Sequence, residues 1–187
     1  MALVWPLLLG LAVAPLLGGR WSLLGQIRIR GAVIFYVAIV LQFAAFPLRW
    51  MPWHTPDRAA IVLWIISYAL FALGLLLNAR IPGVPFVAIG LVSNVLAISL
   101  NGGHMPALPS ALRGAGLIFT KSQNSERMPT PHLAWLVDRW AAPRWIPGGN
   151  VFSVGDVAIA AGGLLFALLA TECFRRRPGL KLAPHSG

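Results

Sequence analysis

The side chains able to do acid, base or metal chemistry are few: five acids, four histidines and one cysteine in 187 residues. Three of the acids have local explanations. Asp57 follows Thr55 and Pro56 ahead of an apolar run, so threonine is expected to cap, proline to take the first helical position and the acid to meet the positive end of the helix dipole. Glu126 lies in a polar stretch and reads as solvated. Glu172 precedes Arg175 and Arg176 by three and four residues, the spacing of an ion pair at a helix end. Asp156 and Asp138 carry more. Asp156 closes Ser153-Val-Gly-Asp156, a capping box in which the serine accepts from a first-turn amide and the carboxylate bonds back to the serine amide. It also stands on a small-residue face at the start of an apolar run, where proton carriers, ligand sites and catalytic acids are found. Asp138 is either a solvated charge or the second member of a carboxyl pair. His54, His104 and His132 show no recognised metal spacing, His54 and Asp57 making half a site at best, and Cys173 has no second thiol to pair with. No phosphate-binding glycine loop or nucleophile elbow occurs, and neither a metal nor a cofactor is expected.

The elements that must position these groups are apolar. Hydrophobic residues make up 58% of the chain and charged ones 11%, with a mean hydropathy of +0.76, which excludes an ordinary soluble enzyme. Runs at 31–48, 59–77, 84–100 and 151–171, with a weaker one at 1–19, are each about as long as a hydrocarbon core of about 30 Å requires. The expected fold is an all-α integral membrane bundle of five transmembrane helices. A single transmembrane domain then covers 1–174, with a basic cytoplasmic tail at 175–187. Pro6 and Pro15 interrupt the first run, which lacks the basic leader of a secretory signal and is kept as a span, kinked or re-entrant.

Helices in lipid associate through close packing and polar contacts, so small and polar residues at helical spacing mark the inward faces. These are Gly31, Ala38, Gln42 and Ala45 in the second run, Ser67, Gly74 and Asn78 in the third, and Gly90, Asn94, Ala97 and Asn101 in the fourth. In the last run they are Asp156, Ala160, Gly163, Ala167 and Ala170. The last two runs are expected to pack through Asn94/Ala97 and Ala160/Gly163. Between them, 101–150 is too long for a plain connection. Leu108, Ala111, Leu112 and Ala115 fit one face of a short helix capped by Ser110. Leu133, Leu136, Val137 and Trp140 recur at helical spacing, predicting a second interfacial helix with His132, Asp138 and Arg139 on its polar side.

The formal charge of +10 does not form a nucleic-acid patch, and no nucleic-acid partner is expected. Arg20, Arg28, Arg30 and Arg80 fall in connections on one side of the bundle, and Arg175, Arg176, Arg177 and Lys181 follow the last run on the same side. Positive loops face the cytoplasm, which places the N-terminus and 101–150 outside a bacterial inner membrane and lets the basic tail meet anionic lipid headgroups. Six of the eight tryptophans, Trp21, Trp50, Trp53, Trp135, Trp140 and Trp145, fall near the expected interfaces as an aromatic belt.

Two stretches, Asn101-Gly-Gly-His-Met-Pro106 and Val151-Phe-Ser-Val-Gly-Asp-Val-Ala-Ile-Ala-Ala-Gly162, resemble an uncharacterised family of small bacterial multi-pass membrane proteins. In that family an Asn-Gly-Gly-x-Met-Pro run closes one span, a Phe-Ser-x-Gly-Asp run opens the last, and an acid in the preceding segment corresponds to Asp138. The resemblance implies topology and no activity. Phe152-Ser-Val-Gly-Asp156-Val-Ala-Ile159 is also similar to the last-span motif of lipoprotein signal peptidase. That family's second aspartate belongs to an Asn-x-x-Asp motif, and here Asn101-Gly-Gly-His104 has histidine in its place, leaving Asp138 as the substitute.

The sequence therefore points first to a non-enzymatic membrane protein that binds a protein or lipid partner through an outward polar pocket near Asn94, Asn101, His104, Asp138 and Asp156. The alternative is a membrane aspartyl hydrolase using Asp138 and Asp156 as catalytic pair, and the third is a small-molecule or ion carrier. The orientation is directly testable. With Cys173 removed, a cysteine at Ser122 should react with an impermeant maleimide in intact cells and one at Ser186 should not; the opposite pattern inverts the topology.

Overall fold

The computed structural model describes residues 4–46, 51–118, 125–143 and 151–173. The chain is mostly helical, and the helices follow the apolar runs. α1 is Val4–Val13, extended by a 3-10 turn at Ala14–Leu17 that carries Pro15; α2 is Ala32–Ala45, α3 Asp57–Leu77, α4 Val84–Ser99 and α6 Val154–Ala170. A short helix α5, Pro109–Ala115, lies between the last two. Among the described residues, only the 21-residue α3 is by length and composition sufficient by itself to cross a membrane, and the other four apolar helices are shorter. At 1.5 Å per residue the 14 residues of α2 rise about 21 Å, less than a full hydrocarbon core.

In space the helices form a row in the order α1, α6, α4, α3, α2. Two polar clasps hold α3 to α2. Gln42 donates to the Ser67 hydroxyl at 3.0 Å, and Thr55, which does not cap α3, donates instead to the Ala44 carbonyl at 2.6 Å. Gly74 leaves room for the Phe35 ring, which a Cβ would meet at 2.6 Å.

α6 lies between two helices and uses a different edge for each. Gly155 and Gly162 face α4, where a Cβ on Gly162 would fall 2.7 Å from the Gly83 carbonyl and 2.7 Å from Val87. Gly83 itself has φ +83°, a backbone that glycine adopts without penalty. Gly163 and Ala167 face α1, against Leu7 and Gly10. The expected pairing of α4 with α6 is therefore present, but one residue further round the helix than Ala160/Gly163. The reason is that α6 has two neighbours, so its small residues divide between them. α1 ends beside the end of α6: Arg20 N donates to the Thr171 carbonyl at 2.9 Å, and the Arg20 side chain pairs with Glu172 at 3.3 Å. The expected partners Arg175 and Arg176 lie outside the described residues.

The described parts of 101–143 fold onto one end of the row. β1 (Met105–Ala107) pairs in parallel with β2 (Ser125–Arg127), and β3 (Trp140–Ala141) pairs antiparallel with β4 (Val151–Phe152). α5 forms as expected and buries Ala111 and Leu112 against Ala107 and Val151, although Ser110 does not cap it. The second interfacial helix is absent. Residues 132–136 are turns, Leu133 has φ +50°, and Asp138 is bridged to Ala107 as extended backbone. Leu136 and Val137 still bury, joining Met105, Ala97, Ile98, Ala60 and Trp64 in one cluster. The segment buries this pair against three helices, and the residues that follow bond to the neighbouring chain instead of to a helix of their own: Asp138 N to the Pro106 carbonyl and Arg139 N to the Phe152 carbonyl. The all-α expectation is corrected to helices with four short strands.

Because the α4–α6 approach leaves no room for side chains, Gly162→Leu should destabilise the protein by about 2–3 kcal/mol through overpacking. Leu169→Ala, at a position 45% exposed, should cost under about 1 kcal/mol. Thermal unfolding in detergent measures both, and equal tolerance would refute the glycine contact.

Candidate functional site

The described residues among 100–153 give one end of the bundle its character. There Ser153 begins α6 with both halves of a capping box: Asp156 N donates to the Ser153 hydroxyl at 3.1 Å, and Ser153 N donates to Asp156 Oδ2 at 3.0 Å. Two first-turn amides are thereby satisfied. The box extends onto α4. The Ser153 hydroxyl donates to Asn94 Oδ1 at 3.0 Å, and Asn94 Nδ2 donates to Asp156 Oδ1 at 3.0 Å. These four bonds close a ring in which each carboxylate oxygen of Asp156 has a donor. Gly90 and Gly155 make the ring possible, since a Cβ on Gly155 would overlap the Asn94 amide.

Asp138 reaches the same place from the other direction. Asp138 N donates to the Pro106 carbonyl at 3.0 Å and its carbonyl accepts from Leu108 N at 2.9 Å, which stitches it beside β1. The next residue, Arg139, donates its amide to the Phe152 carbonyl at 3.1 Å, immediately before Ser153. Asp138 is only 5% exposed, and among the described residues no donor reaches its carboxyl. Burial, and secondarily the nearby charge of Asp156, push its pKa up to about 7. The two carboxyls thus influence each other electrostatically, although no hydrogen bond joins them.

The other expected members of the pocket are placed differently. Asn101 is buried and structural: its Nδ2 donates to the Ala97 and His132 carbonyls at 2.7 and 3.0 Å, while its Oδ1 accepts from His132 N at 2.8 Å. It fastens the start of the long connection to its later part. His104 is half-buried with no bond to either acid, and His54 and His132 are exposed. Among the described residues no three metal-ligating side chains gather. Tyr68 of α3, stacked on Trp64 with ring centroids 4.6 Å apart, lies within electrostatic reach of Asp156 and was not anticipated. Its signal in the sequence was a hydroxyl next to Ser67 on the buried side of an otherwise apolar helix.

A raised carboxyl pKa has a definite sign: Asp138 is protonated below about pH 7 and ionises above it. Protonated carboxyls react with hydrophobic carbodiimides and carboxylates do not. Modification of Asp138, followed by peptide mass spectrometry, should therefore fall about tenfold per pH unit above pH 7. In the same window the folded chain binds more protons than the unfolded one, so stability should fall as pH rises from 4 to 7, and Asp138→Asn should flatten that slope. Carbodiimide reactivity unchanged between pH 6 and 9 would refute the assignment.

Comparison with known proteins agrees on family without supplying chemistry. An uncharacterized protein of Thermotoga maritima is 28% identical over 151 residues, spanning 76% of this chain and 80% of the relative. No solved structure matches the chain. A family model described as a family of unknown function, DUF5317, matches residues 26–168, and the chain belongs to that family.

Proposed function

We propose that this protein is a multi-pass bacterial inner-membrane protein whose long-loop end, facing outward, binds a protein or lipid partner at the Asp138–Asp156 site. The membrane reading is supported by the sides of the bundle, where residues such as Val33 (71% exposed), Leu76 (72%) and Ile89 (63%) present apolar surface all along α2, α3 and α4. The arginine-bearing turns at the opposite end support a cytoplasmic assignment for that end.

One observation carries the binding reading: among the described residues no donor reaches the carboxyl of Asp138, which keeps an opening to the surface and feels the charge of an Asp156 whose own oxygens are both occupied. A carboxyl that is poorly solvated and has no partner within the fold gains from a hydrogen bond that an incoming group supplies. Near neutral pH the protonated Asp138 offers a donor to an acceptor on the partner, such as a peptide or ester carbonyl. The hydrolase reading is favoured by the raised pKa of Asp138 beside a second carboxyl, since a protonated acid next to another carboxyl is what such chemistry requires. It ranks second, because Asp156 would have to release the α6 cap and Asn94 to act as a base.

A photoreactive residue in place of Val154, exposed beside the site, tests both. In cells it should give a defined adduct that Asp138→Ala reduces at least fivefold and that the neutral donor of Asp138→Asn retains. An adduct indifferent to Asp138→Ala would overturn the binding reading. A larger, uncleaved adduct appearing only with Asp156→Asn would establish the hydrolase in its place.

A further inference from the structure

The far end of the bundle holds a second site. Between α2 and α3, the turn before α2 and the turn Asn78–Ile81 enclose a cavity of about 500 Å³ bordered by Arg28, Arg30 and Arg80. It adjoins a groove of about 350 Å³ lined by apolar side chains, among them Phe35, Ile39, Leu75 and Phe166, and the two share Asn78 and Ile81. We infer that this joined cavity and groove bind an anionic phospholipid, the three arginines taking the phosphate headgroup and the groove one acyl chain. The inference rests on the membrane reading above but not on the Asp138–Asp156 site.

The charge argument is direct. Arg28, Arg30 and Arg80 have no acidic partner among the described residues; the ion pair of Arg20 with Glu172 does not border the cavity. Three cations around one cavity repel each other and are satisfied together by a doubly oxygenated anion, which guanidinium groups bind in forked geometry. The backbone that carries Arg30 is also held in place. Asn78, 5% exposed, accepts from Arg30 N at 2.8 Å and donates to the Arg30 carbonyl at 2.8 Å and the Gly74 carbonyl at 2.8 Å, locking the turn before α2 onto the end of α3. An inorganic anion would need the cations alone. The adjoining groove, running along α2 from Ala32 to Ile39 for about 10 Å, adds the apolar surface that a lipid tail covers.

Native mass spectrometry of the detergent-extracted protein, titrated with phosphatidylglycerol and with phosphatidylcholine, tests this. Phosphatidylglycerol should bind at least tenfold more tightly. Arg28→Gln/Arg30→Gln/Arg80→Gln should remove the preference, whereas Arg58→Gln/Arg113→Gln/Arg127→Gln, with the same loss of charge at the other end, should preserve it. Should the triple variant fail to fold, Arg80→Gln alone, in an exposed turn, should lower the preference at least threefold. Ala32→Trp, which fills the groove, should weaken phosphatidylglycerol binding and leave glycerol phosphate unaffected. Equal affinity for both lipids, equal loss in both triple variants, or glycerol phosphate competing as well as the intact lipid would overturn the lipid site. A chain recovered from the soluble fraction would overturn the membrane reading as well, whereas one extracted from membranes without lipid preference overturns the lipid site alone.

Discussion

The structure depends on how closely α4 and α6 approach. Glycine at 83, 90, 155 and 162 removes the Cβ at the closest points of contact, so carbonyls there lie against the backbone opposite, with Ile159, Val87 and Asn94 packed beside them. Van der Waals attraction falls away within an ångström of separation, and a helix pair in an apolar surrounding has little else to hold it. That contact also brings the Asn94 amide to the first turn of α6. A capping box that would be purely local thus becomes a joint between two helices. α6 in turn carries α1 on its other edge, so the same helix connects the N-terminal segment to the rest of the bundle.

Around this joint the chain divides its polar groups between two ends. At one end the Asn94–Ser153–Asp156 ring is saturated, and the strands β1 and β4 deliver a second acid whose carboxyl is not. The contrast follows from how the two acids arrive. Asp156 sits where helix-terminal amides need an acceptor, whereas Asp138 comes in on extended backbone whose own amide and carbonyl are consumed by β1. Its side chain is left to burial and to the field of its neighbour. At the other end, Asn78 spends its amide on the Arg30 backbone, and Arg28, Arg30 and Arg80 border one cavity with no acid paired to them among the described residues. One end thus holds an acid whose pKa burial raises to about 7, the other a set of cations without a counter-charge among the described residues. The apolar sides between them give each end a separate environment.

The sequence by itself determined the helices, because each depends on a local property: a run of apolar residues bounded by glycine, proline or charge. Positions 32–45, 84–99 and 154–170 fall within the runs read directly from the chain, 57–77 begins two residues ahead of its run at 59–77, and the Ser153–Asp156 box, a four-residue pattern, formed as written. The clasp of Gln42 on Ser67 was legible as two polar residues on facing small-residue stripes. Tertiary structure alone decided the rest. Leu133, Leu136, Val137 and Trp140 have helical spacing, yet burial of Leu136 and Val137 against three helices and backbone pairing with β1 and β4 outweighed that periodicity. Asn101 and His104 adjoin in sequence but separate in role, since one amide happens to meet the His132 backbone and the imidazole meets neither acid. Whether Gly163 faced α4 or α1, and whether Asp138 met Asp156, depended on which helix lay alongside which. Spacing along a chain fixes the face a residue occupies; the neighbour on that face is set only when the whole bundle has packed.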